Sequence, residues 1–437
     1  MRHCRPTDAS PPWASRVVPR TLPATPLDEA FLDLRAVSVL SVHLEIRVTG
    51  HVDTARLAAA LATAADAHPM ARARPAPERP WALHARWALD APLAVEVVDD
   101  VTVAREVLQS RLPDDRAVSV MVARDGEGDV VAFRFHHAAI DGRGALRFVA
   151  SVVDAYAGRP LPDDGLAHAR DLRRLAGARG ASDVAARAAK IASDAWGRAG
   201  LTRIAGDGGE DGPHHALVTR RLEPAVVKAL RKSKPEGATL NDCLLAAHLR
   251  TVVAWNERRG GRVGRSVSVM MPVDLRADGE VVANLASYVA IVVPTRDLAD
   301  PGSAIAAVSA QTRAVKERGT AGWIADVLSV LVVPRGVKRV APRLLPLVEG
   351  RFVESTILSN LGPASFGDLG EAGAVREVRF SPPVLSPRMA VTLGVVGHDD
   401  GLTLTWRSLR RQVGAAGVAE FAEVFLERLD ATTRDRG

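Results

Sequence analysis

Two adjacent histidines, His136 and His137, followed after three residues by Asp141 and Gly142, are the groups in this chain whose types and spacing best suit chemistry at neutral pH. An imidazole titrates near physiological pH, so it can take a proton from a hydroxyl or amine and pass it on. A strand-like apolar run, Val130-Val131-Ala132-Phe133, leads into the histidines. On the two-residue period of a strand His137 shares a face with Val131, Phe133 and Phe135, and His136 shares the other with Ala132 and Arg134. The two rings therefore point apart, which argues against one metal held by both, and no metal site is expected. Gly142 is expected to let the backbone turn tightly, aiming His137 into a cleft. Other site classes find little support. Gly142-Arg143-Gly144 lacks the third glycine of a dinucleotide loop, and there is no Gly-x-Ser-x-Gly elbow. His214-His215 has no cysteine or acid at metal-ligand spacing and is expected to be solvated.

The elements around this stretch alternate irregularly, an α+β layout rather than a regular βαβ series. Residues 1–20, rich in Pro, Arg and Ser, are expected to be poorly ordered. Residues 25–32 read as a turn into a short helix. Val42, Leu44, Ile46 and Val48 alternate with polar residues as a half-buried strand, and Asp53 is a good N-cap for the helix after it. Strands are expected around 81–87 and over Val95–Val98, a helix within 101–112, and a hairpin over Val118–Ala123 and 130–137. A helix with Leu146, Val149, Val153 and Tyr156 on one side follows the motif. Residues 164–215, rich in Ala, Arg, Asp and Gly, read as a crossover between two halves. The second half restarts with a strand, His215–Leu222, and a short helix near 224–231. Thr239 then caps a long helix with Asp242 at its third position. Strands are expected over 266–271 and 289–293, a helix over 303–318, a strongly apolar segment over 324–333, a turn at Asp399-Asp400-Gly401 and a terminal helix over 418–429.

At 437 residues the chain exceeds the roughly 250–300 residues at which single cores stop growing, so two core-bearing units are expected. Hydrophobic residues make up 47% and aromatics only 4%, which calls for an aliphatic core. The net charge of +6 is dispersed among acids rather than gathered in a block, so no nucleic-acid partner is expected. Two cysteines, Cys4 and Cys243, make no disulfide framework and fit a reducing, cytoplasmic setting. Cys243 reads as a small buried hydrophobe. No uncharged apolar run reaches the ~18 residues of a membrane span, and the N-terminus lacks the pattern of a secretory signal.

His-His-(three residues)-Asp-Gly after an apolar strand resembles the signature of the thioester-dependent acyltransferase superfamily. That superfamily includes nonribosomal peptide condensation domains, wax ester synthase/diacylglycerol acyltransferases, polyketide-associated acyltransferases and plant alcohol acyltransferases. Four further places are similar to it in the same order: Pro26-Leu27-Asp28-Glu29-Ala30-Phe31-Leu32, the helix start at Thr239-Leu240-Asn241-Asp242, Met271-Pro272-Val273-Asp274-Leu275-Arg276 with Asn284 after it, and Ser359-Asn360-Leu361-Gly362-Pro363 with Ser381-Pro382-Pro383 following. The resemblance implies two chloramphenicol-acetyltransferase-like subdomains, 21–163 and 216–437, joined by 164–215 and meeting as a pseudo-dimer at a central channel. It implies His137 as general base with His136 supporting the turn, Asp141 paired with Arg276, and Asn284, Ser359 and Asn360 holding a pantetheine arm or the channel wall. The activity implied is transfer of an acyl group from acyl-CoA or a carrier-protein thioester to a hydroxyl or amine of a small acceptor. A stand-alone condensation enzyme joining carrier-bound partners and a non-catalytic docking module are the alternatives. The Ser-Asn motif lacks the extra proline of the neutral-lipid enzymes and the crossover differs from theirs, which favours a specialised-metabolite acceptor over storage lipid. No tightly bound cofactor is implied. The expected partners are the thioester donor and the small acceptor, with a peripheral membrane contact left open, for a monomer.

Overall fold

A computed structural model of the chain describes residues 21–434 except 36–37, 111, 163–169, 179, 198–199, 213, 277–280, 324–325, 327–332, 341–342 and 344–352. The N-terminal 20 residues and almost all of the apolar segment 324–333 thus lie outside the described residues.

In chain order the first half runs β1 (Thr21–Pro23), α1 (Pro26–Leu34), β2 (Ser41–Val48), α2 (Thr54–Ala67), β3 (Ala73–Pro75), β4 (Arg86–Leu89), β5 (Val95–Val98), α3 (Val101–Leu108), β6 (Val118–Ala123), β7 (Val130–His136) and α4 (Gly142–Tyr156). Helices α5 (Leu172–Ala176) and α6 (Ala181–Gly197) lead into the second half. There β8 (His215–Leu222), α7 (Pro224–Ser233), α8 (Leu240–Arg258), β9 (Ser266–Asp274), β10 (Ala286–Pro294), α9 (Pro301–Arg318) and α10 (Arg335–Lys338) come first. They are followed by β11 (Thr356–Pro363), β12 (Val375–Ser381), β13 (Val391–His398), β14 (Gly401–Leu409) and α11 (Ala415–Arg434).

Two main sheets carry the architecture, a mixed α/β arrangement. One has five strands in the order β12-β2-β7-β6-β5, the other six in the order β10-β9-β11-β13-β14-β8. Each has its own apolar core. Val131, Phe133 and Phe135 of β7 meet Phe148, Val149 and Val152 of α4 and Leu57 and Leu61 of α2. Leu393 and Val395 of β13 and Trp406 of β14 meet Leu245, Leu249 and Trp255 of α8 and Phe421 and Phe425 of α11. A central strand covered on both faces is buried along its whole length, as β13 is. The exchange between halves is structural. β12, from late in the chain, pairs antiparallel with β2, setting Ser381 beside His43 and Arg379 beside Glu45.

The local signals act as their chemistry requires. The Thr25 hydroxyl accepts the Asp28 N–H (3.1 Å) and the Asp28 carboxylate accepts the Thr25 N–H (3.0 Å), which fixes the start of α1. Thr239 and Asp242 form the same reciprocal cap on α8. Asp53 caps α2 through the N–H groups of Ala55 and Arg56. Asp399 and Asp400 both take positive φ, 49° and 59°, in the β13–β14 hairpin.

Three readings of the sequence need correction. β2 is not half-buried: Ser41 and His43, on its polar face, are 1% and 4% exposed, because the six-stranded sheet covers that face. His215 is fully buried rather than solvated, packed where the two sheets meet. The strand expected around 81–87 begins only at Arg86, and Trp81 stands exposed.

Candidate active site

His137 sits one residue past the end of β7, where the chain leaves the sheet to begin α4. Its main-chain N–H donates to the Leu40 carbonyl (3.0 Å), and Ile140 N–H returns to the His136 carbonyl (3.1 Å), closing a tight turn. The imidazole lies flat on the Phe31 ring, centroids 4.3 Å apart and planes within 4°. That contact ties it to α1, which is itself held from outside. Asp33 accepts both terminal nitrogens of the buried Arg335 (2.7 and 2.8 Å), and Glu29 accepts Lys338 Nζ (2.6 Å).

The His137 ring borders a cavity of about 660 Å³ lined from both halves. Its Nδ1 is buried and finds no partner at full hydrogen-bond geometry, so Nε2 is the nitrogen open to the cavity. Burial holds the imidazole below its ordinary pKa, more strongly than the Asp141 carboxylate and the ring's own main-chain carbonyl raise it. At neutral pH the ring is therefore uncharged, the state a base needs.

Asp141 is fully buried and works as a structural node. It caps α4 by accepting Gly144 N–H on Oδ1 (2.7 Å) and takes Leu285 N–H on Oδ2 (2.6 Å). Arg276 grips it with both terminal nitrogens, each at 3.1 Å. Burial raises the carboxyl pKa, but Arg276 and the two N–H donors outweigh it, so the group stays below its ordinary value. Arg276 also donates to the carbonyls of Val281 (3.0 Å) and Ala283 (2.8 Å) and to Asp274 (2.8 Å). A carboxylate from the first half and a guanidinium from the second thus lock the two together beside His137.

Gly142 departs from its expected role. It is the first residue of α4 and has no positive φ. A Cβ there would lie 2.8 Å from the Leu361 side chain and 3.2 Å from the Phe380 ring, so any larger residue would force those two side chains to shift. At Gly144 a Cβ would press on the Ala283 carbonyl and the Arg276 guanidinium.

The other expected residues separate into two groups. Ser359 and Asn360, on β11, line the cavity. Asn360 donates from Nδ2 to the Asn241 side chain (3.0 Å) and accepts Gly362 N–H (2.9 Å). His136 and Asn284 are not among the lining residues. His136 is buried, its Nδ1 accepting the Ala138 N–H (3.2 Å), a contact that supports the turn. Asn284, expected at the channel wall, is fully buried between the Ala283 and Leu285 main-chain groups that hold Arg276 and Asp141. No local pattern announces the Phe31 stack or the three methionines, Met270, Met271 and Met389, that line the cavity with Tyr288 and Leu385. Their positions come from β9, β10 and the segment after β12, which no local pattern brings together. Among the described residues no group of three or more His, Cys, Asp or Glu could hold a metal, and no helix is long and apolar enough to cross a membrane.

No family model matches the chain. Over 427 residues, 94% of this chain and 99% of that protein, it is 39% identical to the uncharacterized protein Rv2305 of Mycobacterium tuberculosis (strain ATCC 25618 / H37Rv). Among solved structures it is similar to the first condensation domain of the calcium-dependent antibiotic synthetase in complex with a substrate analogue. The TM-score is 0.70 at 14% identity, covering 95% of this chain and 98% of that one. It is similar to the starter condensation domain of rhizomide synthetase RzmA in complex with C8-CoA (TM-score 0.66, 15% identity, 94% of each chain). It is also similar to TRI3 trichothecene 15-O-acetyltransferase from Fusarium sporotrichioides (TM-score 0.69, 12% identity, 94% of this chain and 96% of that one). The chain belongs to one family with the Mycobacterium protein, and its fold is that of the condensation-domain and acyltransferase superfamily.

Proposed function

From its place in that superfamily, we propose that the chain is an acyltransferase. It moves an acyl group from a thioester, acyl-CoA or a carrier-bound phosphopantetheine, to the hydroxyl or amine of a small acceptor in the cytoplasm. The observation that carries the reading is the His137 ring bordering a cavity between the two halves with Nε2 open to it, where burial favours its neutral form. In the proposed step Nε2 takes the acceptor's proton as its oxygen or nitrogen attacks the thioester carbonyl. The tetrahedral intermediate then collapses, the C–S bond breaks, and the leaving thiolate takes the proton from the imidazolium. General-base help of this kind is worth about 10²–10⁴-fold in rate. No acyl-enzyme is needed, because the thioester is already activated.

Within this reading Asp141 and Arg276 fix the turn that presents His137, and Ser359 and Asn360 hold the pantetheine arm. The mostly apolar wall around Met270, Met271, Ile357, Leu385 and Met389 takes the acyl chain. Unbranched thioether side chains repack around occupants of different length, and the cavity volume falls within the roughly 300–1,000 Å³ usual for small-molecule sites. The division into subdomains 21–163 and 216–437 belongs to the same reading, with β12 exchanged into the first sheet.

Release of free thiol from a panel of acyl-CoAs, with and without small alcohols and amines, tests it. Acceptor-dependent release by the wild type, lost in His137→Ala, is the expected result. Release unchanged in His137→Ala overturns the assignment. The condensation-domain neighbours favour one second reading, amide or ester formation between carrier-bound partners, and turnover confined to carrier-loaded donors would select it.

A further inference from the structure

We propose that residues 79–83 and 334–340, with Arg343, form a surface that docks the protein on an anionic lipid bilayer. Residues 79–83 precede β4, and 334–340 run through α10. The two segments are joined main chain to main chain. Arg335 N–H donates to the Ala82 carbonyl (2.7 Å) and Gly336 N–H to the Pro80 carbonyl (2.8 Å). Lys338 Nζ donates to the Leu83 carbonyl (2.9 Å). Trp81, Leu83 and Val337 each lie within one residue of one of these bonds, so they share one stretch of surface. They are 69%, 46% and 59% exposed, and Val340 is 48% exposed. A single exposed apolar side chain is ordinary. Four on two short segments bonded to each other mark an interaction surface.

The second segment is built inside out. Main-chain bonds at a spacing of three run from Val337 N–H to Pro334 (3.0 Å), from Val340 to Val337 (3.1 Å) and from Arg343 to Val340 (3.0 Å). Side chains three apart on such turns stand on one side. Pro334, Val337 and Val340 therefore make one outward row that ends in Arg343, and all four are exposed. Arg335 and Lys338, also three apart, point the other way. Arg335 is fully buried against Asp33 (2.7 and 2.8 Å), and Lys338 reaches Glu29 (2.6 Å). A helix whose outer face meets water turns its charges outward and its apolar row inward. Here the charges are spent inward on α1 and the apolar row is left outside.

Charge says what covers that row. The three carboxylates that reach the segment are taken: Asp33 by Arg335, Glu29 by Lys338 and Glu78 by Arg339. Arg79 and Arg343 are exposed and meet no carboxylate among the described residues. The Arg79 guanidinium lies over the Trp81 ring, 5.7 Å from its centroid. Apolar side chains and a tryptophan interleaved with unpaired arginines suit a bilayer surface: the rings and aliphatic groups enter the headgroup boundary, and the cations meet lipid phosphates. No helix among the described residues crosses a membrane, so the contact is peripheral. α1 carries it toward the acyl cavity, because Glu29 and Asp33 hold the segment while Ala30, Phe31 and Leu34 of the same helix line the cavity at His137.

The test is flotation of the full chain with vesicles of phosphatidylglycerol and phosphatidylcholine in equal parts, and with phosphatidylcholine alone. Wild type should float with the anionic vesicles, and less so as NaCl rises from about 0.1 M to about 0.5 M. Trp81→Ser combined with Val337→Ser should lower the partition at least about tenfold. Arg79→Gln and Arg343→Gln should each lower it about fivefold, on anionic vesicles only. All four side chains are exposed, so thermal unfolding should match wild type. Should one set of variants fail to fold, the other decides. No binding of wild type to anionic vesicles, equal binding to neutral ones, or binding unchanged in both sets overturns the proposal. Sedimentation velocity covers a second copy of the chain: a wild-type dimer abolished by Trp81→Ser and Val337→Ser, without vesicle binding, also overturns it. Thiol release from a soluble acyl-CoA reads the acyl-transfer proposal separately.

Discussion

Replacing Asp141 by Ala removes more than a neighbour of the base. The carboxylate accepts two main-chain N–H groups and both ends of Arg276. Removing one partner of a buried pair costs about 3–5 kcal/mol, and loss of an N-cap side chain about 1 kcal/mol. Arg276 retains Asp274, itself about one-third exposed, and two carbonyls, so its charge is not wholly stranded. The lower end applies, and the loss should be about 4 kcal/mol, a large share of the roughly 5–15 kcal/mol typical of a folded domain. Urea unfolding of Asp141→Ala, Arg276→Met and the double variant measures it. The double variant should be less destabilised than the two single losses added together. The rate carries an independent signature. Asp141 raises the His137 pKa, so its loss leaves the ring even more firmly neutral and moves the acid limb of the pH–rate profile to lower pH. Any fall in kcat at pH 7 must then come from a displaced ring, not a protonated one. A stability within 1 kcal/mol of wild type, or an acid limb moved toward higher pH, refutes this account of the node.

His137→Ala should lower kcat/KM by about 10²–10⁴-fold while leaving the urea midpoint almost unchanged, since the ring makes no hydrogen bond that the fold uses; a collapsed midpoint would make it a structural residue. Gly142→Ala forces a Cβ against Leu361 and Phe380 and should cost about 1–3 kcal/mol, with KM for the donor rising; calorimetry with steady-state kinetics checks both, and a neutral substitution refutes the packing argument. Phe31→Ala opens the face of the His137 ring to water, so the acid limb of the rate should move up toward the ordinary imidazole value; an unmoved limb means the stack does not set the pKa. His248, wedged against Phe421 and Phe425, is pushed by burial down to about 3. A depressed folded pKa contributes stability that is full above the unfolded value near 6.5 and lost as pH falls toward 3, about 2 kcal/mol of it by pH 5. Urea unfolding at pH 7.5 and pH 5 should therefore show a smaller drop for His248→Asn, and equal drops would refute the assignment.

Elements set by nearest neighbours in the chain were legible from the sequence. The reciprocal cap at Thr239, the short helix opening at residues 25–32, the β6–β7 hairpin and the start of β8 at His215 all depend on residues within a few positions of one another. The strand period also put Val131, Phe133 and Phe135 together on one face, where they meet the helices. Legibility ended where the partner lies hundreds of residues away. Nothing near Phe31 announces that its ring will lie on His137, 106 positions later. Nothing near Gly142 announces that Leu361 and Phe380 will press against it. Asn284 looked like a wall residue from its motif, yet the Asp141–Arg276 node draws the main chain on either side of it inward.

The polar face of β2 shows most clearly why an alternating pattern misleads in a double-length chain. Ser41, His43, Glu45 and Arg47 read as a solvated face because a lone two-layer unit would leave them in water. The second sheet covers Ser41 and His43 instead, so the pattern marks an interface rather than a surface. A polar interface must satisfy its own donors. Here β12 supplies Arg379 and Ser381, β14 supplies Thr405 and Arg407, and β8 supplies Thr219 and His215. The opposite face of the same strand contributes Val42 to the cavity at His137. One strand thus presents an apolar row to the acyl cavity and a polar row to the seam, so any change in how the sheets meet must be felt at His137.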